Sequence, residues 1–137
     1  MNKTTRWKQR FDNLKKSFTF LKKSIDKKNY NELEMSGLIK AFELTFELSW
    51  KTLKDYLEAQ GIEEKFPRSV IKSAFSAQII TDGHIWIEML DKRNEFSHTY
   101  DEESVKKIVK MIKTKYFSSI EQLYDYLQSK YQEEINE

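Results

Sequence analysis

Apolar residues recur along most of this chain at the spacing of an α-helix. Between residues 5 and 28, Trp7, Phe11, Leu14, Phe18, Leu21 and Ile25 fall 4, 3, 4, 3 and 4 positions apart. That interval puts all six on one stripe of a 3.6-residue helix. The stripe is as narrow as a coiled-coil seam, so this helix is expected to pack on a neighbouring helix or on a second subunit, core packing being the favoured choice. A second helix is predicted from Glu32 to Gln60, burying Leu38, Phe42, Phe46, Ser49, Trp50, Leu53 and Leu57 and stopping at Gly61. Pro67 suits the first turn of a short third helix that carries Val70, Ile71, Ala74 and Phe75 and ends near Ile79 and Ile80. Thr81-Asp82-Gly83 is a turn whose Thr81 or Asp82 caps a fourth helix, from about His84 to Ser97 or His98. The last stripe is Val105, Ile108, Val109, Ile112, Tyr116, Ile120, Leu123 and Leu127. It predicts a helical region from Glu102 to about Tyr131, with a bend around Phe117-Ser118-Ser119 and a frayed tail.

Four long helices and one short one, joined by short polar links, give an all-α fold, an antiparallel four- or five-helix up-and-down bundle. Residues 1–137 are expected to form a single domain. Three glycines and one proline leave few places for tight turns, and 39% hydrophobic residues are too many for a disordered chain. With no cysteine, disulfides and thiolate metal sites are excluded. No apolar run approaches the roughly 18 residues of a membrane span, and Met1 to Lys8 lead into no signal-peptide segment. A cytoplasmic protein without membrane association is expected.

Charge adds an asymmetry. Residues 1–28 hold ten basic side chains against Asp12 and Asp26, a net +8, which leaves −6 for the remainder of a chain whose total is +2. Such a helix presents either a solvated basic face or one that attracts a polyanion such as RNA, with steep salt dependence.

The concentration of reactive side chains is Asp91-Lys92-Arg93-Asn94-Glu95-Phe96-Ser97-His98-Thr99-Tyr100-Asp101. With Trp86 as origin and about 100° per residue, Arg93 falls at roughly −20°, in the middle of an apolar face made by Ile85, Met89, Leu90 and Phe96. Asn94 and His98 fall on one flank at roughly 80–120°, with Asp91 beyond them. Structural roles account for each alone: a histidine at a helix C-terminus, a tyrosine packing beyond it, and an arginine paired with Glu43, Glu47 or Asp91. Glu47 also has Lys51 and Lys54 close enough to pair.

The clustering points to chemistry. Cutting RNA through its ribose 2′-hydroxyl requires a proton acceptor, a proton donor and cations for the phosphorane charge. As a histidine, His98 can serve as general acid or base, and Arg93 holds phosphate oxygens in a fork that stays charged when buried. Asn94, one turn before His98, orients its ring or contacts phosphate. One such set per chain is sparse, and a dimer would complete it. Metal hydrolysis fits less well: Asp91, Glu95 and His98 have no second histidine near them except His84, and no known metal or phosphate-loop motif occurs. No metal and no cofactor are expected.

Arg93 to His98 has the R-x4-H form of the HEPN superfamily, extended to R-x4-H-x-Y by Tyr100. Together with Ala41 to Lys54, Pro67 to Phe75 and Arg93 to Asp101, it resembles the nucleotidyltransferase substrate-binding branch of that superfamily. The resemblance implies a helical bundle that forms a homodimer and works with a small minimal nucleotidyltransferase. In related toxin–antitoxin pairs the HEPN member is a metal-independent ribonuclease toxin, silenced when the partner transfers AMP to the motif tyrosine. By position, Arg93 and His98 would be catalytic, Asn94 supporting and Tyr100 the modification site, with Glu43, Glu47 and Asp91 lining it. The alternative implied is a non-catalytic substrate-binding subunit of a two-component nucleotidyltransferase.

Overall fold

A computed structural model describes residues 2–136. Its elements are all helical: α1 (Lys3–Ser24), α2 (Glu32–Ala59), α3 (Pro67–Ser76), α4 (Gly83–Ser97), α5 (Glu102–Met111) and α6 (Phe117–Asn136), with α5 and α6 joined through a π-helical turn at Ile112–Tyr116. Helices α1 and α2 run antiparallel, since Trp7 meets Tyr56 at one end and Ser17 meets Thr45 in the middle. Helix α4 runs antiparallel to α2 in the same way, Phe42 lying against Phe96 and Phe46 against Trp86. Helix α6 returns beside α1, bringing Phe117 to Phe18 and Glu134 to Lys8.

The helix boundaries follow local chemistry. Asn2 caps α1 by accepting the Thr5 N–H at 2.7 Å. Asn31 and Glu34 form a reciprocal capping box at the start of α2, which ends where Gly61 takes the left-handed φ of +88°. Pro67 occupies the first turn of α3. Several expectations change. Helix α3 stops at Ser76 rather than near Ile79, because Gln78 turns to a positive φ of 61°, and Phe75 is exposed rather than buried. Asp82 stands at the cap position of α4 but makes no side-chain capping bond; its carboxylate accepts from the Ser119 hydroxyl instead. The irregularity in the last helical region lies at Ile112–Tyr116, before the anticipated bend, and the helix continues past Tyr131 to Asn136.

The predicted stripes form the core: Trp7, Phe11, Leu14, Phe18 and Leu21 from α1 and Leu38, Phe42, Phe46, Trp50, Leu53 and Leu57 from α2 are buried. Two polar links tie α1 to α2: the Ser17–Thr45 hydroxyl pair at 2.5 Å, and Arg10 donating to the buried Asp55 carboxylate at 2.6 Å. The basic charge of α1 is partly internal to the bundle. Arg6 and Arg10 pair with Glu58 and Asp55 of α2, and Lys8 and Lys22 with Glu134 and Glu121 of α6, whereas Lys15, Lys16 and Lys23 make no ion pair among the described residues. No described helix is long and apolar enough to cross a membrane.

Candidate functional site

Helix α4 packs through Trp86, Met89 and Phe96, all buried. These positions, with 93 between them, make a 3-4-3 seam in which Arg93 takes the place of an apolar residue. The side chain is not sunk in the core: it stays 29% exposed, at the border of the face whose middle the helical wheel gives it. An unpaired guanidinium in the bundle interior would cost several kcal/mol, on the order of a buried ion, so the chain resolves the position at the surface. There its Nη1 lies 3.0 Å from Oε2 of Glu47 on α2, while the other Glu47 oxygen is 3.5 Å from Lys51. Of three acidic candidates, Glu47 is the partner. Asp91 pairs with Arg68 of α3 instead, and Glu43 is half-buried nearby without an ion pair among the described residues.

His98 is the C-cap of α4, its backbone N–H donating to the Glu95 carbonyl at 3.2 Å and its side chain exposed. Because the helix ends at Ser97, the 100° rotation no longer fixes where His98 points, and it parts company with Asn94. Arg93 and Asn94 open into a groove of about 480 Å³ between α2 and α4, with Lys40, Glu43 and Ser97. His98 opens into a groove of about 510 Å³ between the end of α4 and α5, with Lys92, Tyr100 and Lys107. A smaller groove of about 240 Å³ joins them, sharing Lys40, Glu43 and Ser97 with the first and Phe96, Thr99 and Tyr100 with the second. Tyr100 stands on the common rim and is 84% exposed. Except for Asp91, which lines none of these grooves, the predicted residues thus lie along joined grooves, but within one chain Arg93 and His98 do not face a shared cavity.

The supporting layer is aromatic. Phe96 packs on Phe42 of α2 and on Tyr116 of the π-helical turn. The Tyr116 hydroxyl donates to Glu88 of α4 at 2.5 Å, and Lys115 reaches the same carboxylate. Lys115 first, then Tyr116, hold the Glu88 carboxyl below its ordinary range, and burial together with this bond pushes the Tyr116 phenol up, so it stays protonated at neutral pH. Across the link, Asp101 caps α5 by accepting the Ser104 N–H at 3.0 Å, and its bonds to Ser104 lower its carboxyl. Among the described residues no group of three His, Asp or Glu side chains is placed to hold a metal ion.

Lys40 and Lys107 were missing from the sequence-level site. Lys40 had a signal, since it shares a face of α2 with Glu43, Leu44 and Glu47. Lys107 had none, because only the docking of α5 on α2 brings it to the groove that holds His98.

Similarity to known proteins bears on this surface. A probable ribonuclease HepT from Haemophilus influenzae is 32% identical over 74 residues, which is 50% of this chain and 51% of that protein, so the chain spans about half the length of the curated relative it matches. A crystal structure of a protein from Thermus thermophilus superposes with a TM-score of 0.76 at 30% identity, covering 83% of this chain and 98% of that one. The family model described as "nucleotidyltransferase substrate binding protein like" matches residues 9–129, which include every residue of the three grooves. The chain belongs to that family, a branch of the HEPN superfamily.

Proposed function

We propose that this protein is the toxin of a HEPN–nucleotidyltransferase toxin–antitoxin pair, a homodimeric endoribonuclease that cleaves RNA without a metal. The observation that carries this reading is the exposed end of α4. It presents an arginine with, among the described residues, one guanidinium nitrogen engaged and, five residues on, a solvent-facing imidazole, with joined grooves running between them. In the reaction the ribose 2′-oxygen bonds to the adjacent phosphorus as its proton passes to a base. The bond from phosphorus to the 5′-oxygen breaks, and that oxygen takes a proton, leaving a cyclic phosphate and a 5′-hydroxyl. His98 supplies the proton transfer and Arg93 binds the phosphorane oxygens, with Asn94 beside it. Since one chain turns these two groups into different grooves, two copies supply the complete set across a dimer. The partner silences the site by transferring AMP from ATP to Tyr100: the phenol oxygen bonds to the α-phosphorus and pyrophosphate leaves. The modified rim then carries a phosphate beside His98.

The pairing of Arg93 with Glu47 favours a second reading, a substrate-binding subunit that completes a nucleotidyltransferase and performs no chemistry itself. RNA cleavage by the purified protein in EDTA, beside His98→Ala, separates the two. Cleavage is expected from the wild type and a fall of at least 100-fold from the variant. Equal activity in both, or none in either, removes the nuclease.

A further inference from the structure

Cleavage through the 2′-hydroxyl places two demands on the surface around Arg93. The attacking and leaving oxygens lie in line through phosphorus, so the group that takes a proton and the group that gives one stand on opposite sides of the phosphate. His98, turned into its own groove, fills one of these places and leaves the other open. The groove of Arg93 and Asn94 contains three further ionisable side chains, all from α2: Lys40, Glu43 and Glu47. A lysine ammonium has no acceptor. Both oxygens of Glu47 face cations, Oε2 at 3.0 Å from Arg93 and Oε1 at 3.5 Å from Lys51. The nearest carboxylates of α4 are engaged as well, Asp91 by Arg68 and Glu95 by Lys92. Of these acids Glu43 alone is free, with no ion pair and no side-chain hydrogen bond among the described residues. It is half-buried on a helix of 28 residues, and it also lines the groove of about 240 Å³ that leads past Ser97 and Thr99 to Tyr100. A free carboxylate held by a rigid element beside a phosphate-binding arginine is placed for proton transfer.

We infer that Glu43 is the proton acceptor of the cleavage reaction and His98 the donor. The assignment rests on the nuclease reading and supplies the half of its acid–base chemistry that lies outside the arginine–histidine motif. The ribose 2′-hydroxyl gives its proton to the Glu43 carboxylate as the 2′-oxygen bonds to phosphorus. Arg93 holds the phosphorane oxygens. The bond to the 5′-oxygen then breaks, and that oxygen takes its proton from the His98 imidazolium that a second copy brings to this groove. Proton exchange with solvent returns Glu43 to the carboxylate and His98 to the imidazolium.

The two roles separate on the leaving group. RNA whose scissile 5′-oxygen is replaced by sulfur needs no proton donor, because a thiolate leaves unaided, but its 2′-hydroxyl must still lose a proton. The full-length protein is assayed in EDTA on ordinary and 5′-thio RNA, beside Glu43→Gln and His98→Ala. On ordinary RNA both variants are expected to fall about 100-fold or more in kcat. On 5′-thio RNA His98→Ala should recover to within about tenfold of the wild type, while Glu43→Gln stays about 100-fold or more below it. The rate left in Glu43→Gln should also rise about tenfold per pH unit, as hydroxide replaces the lost base. A variant damaged only in shape would keep the wild-type pH profile. That profile in Glu43→Gln, its recovery on 5′-thio RNA, or its cutting ordinary RNA at the wild-type rate overturns the role of Glu43 and leaves the nuclease standing. Wild-type protein that cuts neither substrate removes the nuclease and this assignment with it.

Discussion

Arg93 shows how much one residue out of pattern can carry. Its place in the 86-89-93-96 seam is visible in the sequence, because a guanidinium where a leucine belongs must find a carboxylate, a phosphate or water. Its partner is not visible: Glu43, Glu47 and Asp91 are all chemically equivalent choices, and only the antiparallel docking of α4 on α2 brings Glu47 to 3.0 Å and gives Asp91 to Arg68. The same limit applies to His98, whose direction a helical wheel fixes only while the helix lasts. The Arg93–Glu47 pair is open to solvent, 29% and 38% exposed, so it contributes less than about 1 kcal/mol to stability. It uses one guanidinium nitrogen and leaves the others for a phosphate. On the nuclease reading, Glu47 is therefore a positioning residue. Glu47→Gln is expected to leave thermal unfolding within roughly 4 °C of the wild type while lowering kcat/KM for RNA about tenfold, through KM, as the arginine loses its fixed direction. An unfolding shift much larger than that, with cleavage unchanged, would make the pair purely structural.

At the scale of elements the helix breakers are the most legible feature, Gly61 closing α2 and Pro67 opening α3, whereas the cap expected of Asp82 does not form. The box of Asn31 and Glu34, which the apolar stripe does not announce, makes both of its hydrogen bonds, at 2.8 and 2.9 Å. Asn31→Ala is expected to cost about 1 kcal/mol in urea unfolding, with m unchanged. The π-helical turn is the least legible. Its one trace is the run Ile112, Tyr116, Ile120, where each step of four residues overshoots the stripe by about 40°, and a wider turn takes part of that back. That adjustment lets Tyr116 be wholly buried against Phe42 and Phe96 and still reach Glu88, bracing the end of α4 that bears Ser97 and His98. The bond has a pH signature. Glu88 is held below its ordinary carboxyl value when folded, so its contribution is full above about pH 4.3 and fades as pH falls through the folded value. Tyr116→Phe keeps the ring and removes the hydroxyl. It should cost roughly 1.5–3 kcal/mol at pH 7, as for a bond to a charged group, and less once the pH falls below the folded Glu88 value. The same cost on both sides of that value would show that the charge of Glu88 plays no part.

For the whole molecule the open question is what covers the outer face of α1 and α2. Phe20 and Leu44 are 61% and 54% exposed there, around a groove of about 480 Å³ with Leu48, Ala41 and Gly37. Through Lys40 and Leu44 this groove continues directly into the one that holds Arg93 and Asn94. No polar demand explains two large apolar side chains beside a charged site, and the narrow stripe of α1 accounts for its other face only. The patch is edged by both signs of charge, Lys16 and Lys40 on one side and Glu43 and Glu47 on the other. A two-fold interface requires a self-complementary patch, and both signs of charge at its edge allow one. A second copy seated here would also bring the partner's arginine and histidine toward the same continuous surface. Leu44→Glu puts a charge at the centre of the patch without touching the core. Sedimentation equilibrium is expected to give the wild type at twice the 16.5 kDa chain mass and the variant near the single mass, with unchanged helical circular dichroism. RNA cleavage should fall at least 100-fold with the dimer, because each chain keeps its own Arg93 and His98 but loses the partner's pair. A monomeric Leu44→Glu protein that cuts RNA at the wild-type rate would place the whole site within one chain, and the separation of Arg93 from His98 would then have to close by movement of the α4 end.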